Sequence, residues 1–213
     1  MKTFFILSAA SVLLFISCGT ESNNEITEQT EKQQPPVCTY SYLHDSTHVN
    51  WTAYKFTEKK GVKGTFDSVV VEGVANGAIS PFDVFANVSF RILSSSVNTN
   101  DAARDQKILN YFFGKMIATS EISGKIVSVN EKGEAEVLIK MNNVEHNVLG
   151  VFTIQENKVS LQVEINMDHW NGQSAIASLN KECYELHKGE DGKSVLWPDV
   201  SVQIETTLQK ICE

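Results

Sequence analysis

From Tyr40 onward, apolar side chains recur at alternate positions along the chain. The clearest rows are Val84, Ala86, Val88, Phe90 and Ile92; Val137, Ile139 and Met141; Val159, Leu161, Val163, Ile165 and Met167; and Val200, Val202, Ile204, Thr206 and Leu208. Shorter rows occur at Val49, Trp51 and Ala53 and at Val62, Gly64 and Phe66. A strand sends successive side chains to opposite faces, so this period of two predicts strands with one apolar face. Turn-forming residues separate the rows, as at Glu131-Lys132-Gly133 and Gln155-Glu156-Asn157-Lys158. About eight such strands predict an all-β, antiparallel, closed barrel, because closure removes the unpaired edges of an open sheet. Two stretches break the alternation and predict short helices packed on the barrel. The first is capped by Thr99 or Asn100, carries Ala102, Ala103, Ile108, Leu109, Phe112 and Phe113, and stops at Gly114. The second places Ile176, Leu179, Cys183 and Leu186 on one stripe and ends at Gly189. No internal repeat is visible, which argues against a solenoid or propeller.

The start of the chain follows another pattern. Lys2 precedes an apolar run from Phe4 to Ile16 and then Ser17-Cys18. The run is shorter than the roughly 20 apolar residues a membrane span needs, and reads as an export signal over residues 1–17. Leu14-Phe15-Ile16-Ser17-Cys18 resembles the lipobox of bacterial lipoproteins, with Phe15 where Leu is usual. The resemblance implies cleavage before Cys18 and lipid, including palmitate, on that residue. Each buried methylene contributes about 0.8 kcal/mol, so several acyl chains anchor a protein to a membrane without a spanning helix. Residues 18–36 are polar, end in Pro35-Pro36 and read as a disordered tether. Gly19 stands where an inner-membrane retention signal tends to have Asp, so a lipid-anchored protein of the cell envelope is expected at the outer membrane rather than the inner.

Composition narrows the partners. The chain carries 18 Lys and Arg against 26 Asp and Glu; without Lys2 the formal charge is 17 − 26 = −9. Phosphate binding needs a concentrated positive surface, so no nucleic-acid partner is expected. Residues 37–213 have the length of one domain with one core. Besides Cys18, the cysteines are Cys38, Cys183 and Cys212, with neither a CxxC pair nor a Cys/His zinc pattern. In an oxidising compartment Cys38 and Cys212 are expected to pair, since they bracket the domain and the ends of a closed sheet lie together. Cys183 is then a small helical core residue. No nucleophile elbow, phosphate loop or dinucleotide fingerprint is present, and the His at 44, 48, 146, 169 and 187 are scattered. Neither a metal, a cofactor nor an enzymatic centre is expected. Arg104 and Asp105 are read as a polar pair tying the first helix to the barrel rim.

Three segments carry a family resemblance. Asp45-Ser46-Thr47-His48-Val49-Asn50-Trp51-Thr52-Ala53-Tyr54-Lys55 with Gly61-Val62-Lys63-Gly64-Thr65-Phe66, then Ser96 through Leu109 with Phe112-Phe113, and finally Trp197-Pro198-Asp199-Val200 are similar to the YceI-like polyisoprenoid-binding family. The resemblance covers roughly Tyr40 to Leu208. At one family turn that reads His-Gly this chain has Asn142-Asn143, so no ligand contact is carried over from that His, whereas Asn tolerates the left-handed backbone the turn requires. The resemblance implies a lipocalin-like barrel holding a polyisoprenoid or another long-chain lipid. The inward positions expected to line its cavity are Trp51, Ala53, Val88, Phe90, Val137, Ile139, Leu161, Val163, Val202 and Ile204. Alternation alone also fits a filled core. Two other readings therefore stand beside lipid carriage: an envelope interaction or scaffold lipoprotein with a solid interior, and a lipid-modifying enzyme.

Overall fold

The computed structural model describes residues 35–213. The expected signal peptide, Cys18 and all but the end of the tether lie outside the described residues. The described residues form eleven strands: β1 (Cys38–Tyr42), β2 (His48–Lys55), β3 (Lys60–Phe66), β4 (Val69–Glu72), β5 (Ser89–Leu93), β6 (Val97–Asn98), β7 (Glu121–Val129), β8 (Glu134–Met141), β9 (Val144–Gln155), β10 (Lys158–Asn166) and β11 (Leu196–Cys212). Two helices accompany them, α1 (Ala102–Tyr111) and α2 (Gln173–Glu182).

The strands form one strongly curled antiparallel sheet in the order β4-β5-β7-β8-β9-β10-β11-β2-β3-β6, with β1 added on β11. The path ends at β4 and β6, but covalent continuity joins its ends. β3 runs into β4 through Asp67 and Ser68, and β5 runs into β6 through Ser94–Ser96. Asp67 N–H donates to Ser96 O at 2.9 Å and Leu93 N–H to Ser68 O at 3.4 Å, bridging the two bends. With each bent pair counted as one strand, eight runs circle the core in sequence order, and β11 closes on β2. The difference between about eight expected strands and eleven observed comes from these two bends and from β1.

Alternation overreaches in one row. Val84 and Ala86 are not strand: Asp83–Phe85 is a 3-10 turn, and β5 starts only at Ser89. Val84 and Phe85 are both buried, which consecutive strand residues facing opposite sides of a sheet would not be. The hairpin chemistry is local. Asn142 and Asn143 have φ of 50° and 57°, the pair of left-handed residues that a two-residue turn between β8 and β9 needs. Between β7 and β8, the Asn130 side-chain oxygen accepts from Lys132 N–H at 2.9 Å and Glu134 N–H at 3.2 Å.

Both helices differ from expectation at their ends. Asp101, rather than Thr99 or Asn100, caps α1 by accepting from Ala103 and Arg104 N–H, each at 3.1 Å. Thr99 is used otherwise, donating to Asp105 from its backbone N–H at 2.8 Å and its hydroxyl at 2.6 Å. The second helix ends at Glu182, and a 3-10 turn over Tyr184–His187 leaves Leu186 exposed. The apolar stripe stops at Cys183, which is buried and free. Cys38 and Cys212 are opposite each other in the β1–β11 register and are joined as a disulfide.

Candidate binding cavity

The curled sheet encloses a cavity of about 270 Å³. Trp51 and Ala53 of β2, Val88 just before β5 and Phe90 within it, Val137 and Ile139 of β8, Leu161 and Val163 of β10, and Val202 and Ile204 of β11 all line it. Register brings these rows level. Val202 lies opposite both Val163 and Trp51, and Ile204 opposite both Leu161 and Val49, so the inward residues of three neighbouring strands form continuous apolar bands.

Two glycines fit aromatic rings to the wall. Gly64 is the cross-strand partner of Trp51, and Gly124 that of Phe90. A Cβ on Gly64 would strike the Trp51 indole, and one on Gly124 would strike the Phe90 ring and Leu138 O. With hydrogen in place of a side chain, each ring lies over its neighbouring strand rather than reaching further inward. The indole N–H of Trp51 donates to Thr65 O at 3.2 Å, fixing its position on β3. A glycine inside a strand signals such a close approach. Gly64 was visible in an alternating row, but its pairing with Trp51 required the register.

The inward row of β2 runs Val49, Trp51, Ala53, Lys55. At about 3.3 Å per residue, its ends are about 20 Å apart. Near Val49 the lining includes Tyr42, Thr47 and Thr206, whose hydroxyls satisfy one another. Tyr42 OH and Thr47 Oγ1 are 2.6 Å apart, and Thr47 Oγ1 donates to Thr206 Oγ1 at 2.9 Å. Burial pushes the Tyr42 hydroxyl above the usual tyrosine range.

Near Lys55 the lining comes from the two helices and the following turn. Arg104, Lys107 and Ile108 share a face of α1 through i, i+3 and i+4 spacing; Ile176 and Leu179 of α2, Cys183 and His187 complete this end. Lys55 Nζ donates to Leu186 O at 2.9 Å. Burial, then the Arg104 and Lys60 charges, depress its proton affinity, against a smaller opposing effect of Cys183. Burial, then Lys55 and Lys107, hold His187 down at about 4, so it is neutral at pH 7. The Asn180 amide donates to Ser194 O at 3.2 Å, which turns its oxygen toward His187 Nδ1 at 2.9 Å and assigns the proton of the neutral imidazole to Nδ1. Burial, the largest effect on the Cys183 thiol, pushes it up, opposite to the direction that activates a nucleophile.

Arg104 and Asp105 do not form the expected pair. Asp105 ties α1 to Thr99, while Arg104 Nη2 lies 3.4 Å from Asp101 Oδ2 and Arg104 lines the cavity. Lys55 and Lys107 were not singled out from the sequence; period two from Ala53 and one helical turn from Arg104 are the signals that point to them. His146 and His169 stack at 4.2 Å beside Trp170 and line no part of the cavity. Among the described residues, no group of three or more His, Cys, Asp or Glu is arranged to hold a metal ion.

A family model described as the YceI-like domain matches residues 40–208. A polyisoprenoid-binding domain from Saccharophagus degradans, implicated in plant cell wall breakdown, is similar in structure with a TM-score of 0.54 at 14% identity, over 82% of this chain and 98% of that one. This likeness concerns the fold alone. Weaker likenesses are BcnA of Burkholderia cenocepacia, with TM-score 0.47, 10% identity and coverage of 78% and 96%, and the YCEI protein of Campylobacter jejuni, with 0.46, 13%, 75% and 89%. No curated protein matches the sequence.

Proposed function

The chain belongs to the YceI-like domain family, and from that membership we propose that its barrel binds and carries a long apolar lipid of the polyisoprenoid type in a bacterial cell envelope. The observation that carries the proposal is the 270 Å³ cavity bounded by the inward apolar rows of the sheet. At about 30 Å³ per water-sized group, that space takes about nine methylenes at liquid density. Each buried methylene contributes about 0.8 kcal/mol, so transfer of such a segment supplies up to about 7 kcal/mol before the cost of ordering the ligand. The Saccharophagus degradans domain of similar fold is described as polyisoprenoid-binding, which supports the ligand class. A filled-barrel scaffold would make little use of glycines that keep Trp51 and Phe90 against the wall.

Lipid attachment at Cys18 and residence at the outer membrane complete the proposal, resting on the lipobox resemblance and Gly19. The test of carriage is mass spectrometry of an organic extract of the purified full chain. A lipid near one equivalent is expected, and extracts free of lipid, with no uptake of added polyprenol, would overturn carriage. The anchor is tested separately by Cys18→Ser. Metabolic labelling with a fatty-acid analogue should mark the parent and not the variant, and equal labelling of both refutes the assignment.

A further inference from the structure

Two uncharged runs of the chain meet at one corner of the sheet. In a chain that is 21% charged, residues 35–43 and residues 73–82 contain no Asp, Glu, Lys or Arg. Tyr40 N–H donates to Ala78 O at 2.8 Å and Ala78 N–H to Tyr40 O at 3.0 Å, so the second run lies against β1. On its other side β1 pairs with the end of β11. Thr39 is opposite Ile211 there, and Val37 exchanges backbone hydrogen bonds with Glu213 at 2.9 and 3.0 Å. Val37, Thr39 and Ile211 therefore share one face of the ladder, with Tyr40 and Lys210 on the other. Ile79, next after the Ala78 bridge, stands beside Thr39. Ile79 is 75% exposed, Val37 62% and Ile211 50%. Polar groups of the corner are partly satisfied within it, since Gly77 N–H donates to Ser41 Oγ at 2.9 Å.

Resting on the lipid anchor at Cys18 proposed above, we infer that this corner docks on the surface of the phospholipid bilayer that carries the anchor, with Val37, Ile79 and Ile211 as its contacts. The place where the rest of the chain joins the domain argues for this occupant. Residues 19–36, the polar tether, lead from Cys18 directly to Val37. As a flexible coil those 18 residues span about 25 Å. The anchor thus holds the corner at a high effective concentration against the membrane, where even a weak contact is populated. Exposed aliphatic side chains gain free energy by leaving water for the acyl boundary, and no charge on β1 or on residues 73–82 opposes it. Glu213 is the one charged side chain on this face of the ladder. It ends the row, which keeps the contact shallow and its carboxylate in water. A second exposed apolar pair lacks these features. Leu149, 80% exposed, and Val151 on β9 lie opposite Glu136 and Glu134, whose carboxylates resist transfer.

The test uses the full acylated chain in vesicles of phosphatidylethanolamine and phosphatidylglycerol, some of whose acyl chains bear a nitroxide quencher. With Cys183→Ser removing the free thiol, an environment-sensitive dye is placed at Ile79→Cys or at Leu149→Cys, two positions of similar exposure. Emission from position 79 should shift to the blue and lose intensity to the nitroxide, and emission from position 149 should do neither. Adding Val37→Ser and Ile211→Ser removes two apolar contacts and should weaken the docked state by about tenfold, which restores the emission at 79. Both substitutions are at exposed sites, so the fold does not depend on them. Equal quenching at 79 and 149, or none at 79, in chain that is bound to the vesicles overturns the docking inference and leaves the anchor standing. A chain that neither incorporates a fatty-acid analogue nor associates with vesicles overturns the anchor and the inference together.

Discussion

Replacing Ala53 with Trp separates an open barrel from a filled one. Ala53 lies between Val62 and Val200 in the ladder and lines the cavity. The indole introduces about as many non-hydrogen atoms as the nine or so methylenes the space can hold. Side chain and ligand therefore compete for the same volume, and loss of a nine-methylene segment removes up to about 7 kcal/mol of binding. Stability should respond in the opposite sense. In an open cavity the indole gains contacts, so the unfolding midpoint of the stripped protein stays level or rises. In a filled interior the same insertion overpacks and costs about 1–3 kcal/mol. At about 2–4 °C per kcal/mol for a domain of this size, that loss is readable in a thermal melt. The assay pairs the melt of stripped protein with mass spectrometry of lipid retained by unstripped protein. Loss of lipid at an unchanged or raised midpoint is expected. A lowered midpoint, with no lipid in parent or variant, would refute the open-cavity reasoning.

Three further outcomes are expected. Cys38→Ala with Cys212→Ala opens a loop with a sequence separation of 174 residues, which costs up to about 5 kcal/mol on chain-entropy grounds; equal urea midpoints for parent and double variant would refute it. Gly64→Val drives a side chain into Trp51 and should cost about 1–3 kcal/mol with a shift in indole fluorescence, whereas unchanged stability and emission would mean the ring does not lie over β3. For His187, held at about 4 in the folded chain against about 6.5 when unfolded, the unfolded state binds more protons between those values. The contribution is therefore fully present above pH 6.5 and is lost as pH falls toward 4, at no more than about 1.4 kcal/mol per pH unit and less where solvent screens the ring. Urea unfolding across this range should show a slope that His187→Asn reduces, and identical slopes would refute the assignment.

Much of the architecture is local and was therefore legible in the chain. A pleated strand imposes period two on its side chains, so the inward rows of β2, β8, β10 and β11 could be identified residue by residue, and all ten expected lining positions lie along the cavity. Asn142-Asn143 carries its turn in its own backbone preference. The Cys38–Cys212 pairing was approachable because two residues flanking a closed sheet have few places to go. Alternation could not show that β3–β4 and β5–β6 are bent pairs: the inward parity changes at each bend, from Phe66 to Val69 and from Ile92 to Val97, and a loop between separate strands breaks the pattern in the same way. It also misassigned Val84 and Ala86, since a 3-10 turn can bury residues at any spacing.

The character of the cavity was decided by tertiary structure. Gly64 and Gly124 shape the wall only because register sets them against Trp51 and Phe90. Arg104 and Asp105, adjacent in sequence, part company because Thr99 takes the carboxylate, and Lys55 meets Arg104 and Lys107 only when α1 docks at the end of β2. Periodicity records which way each side chain faces along its own strand; which distant side chains face one another depends on register and helix docking, and no local pattern in the chain contains that information.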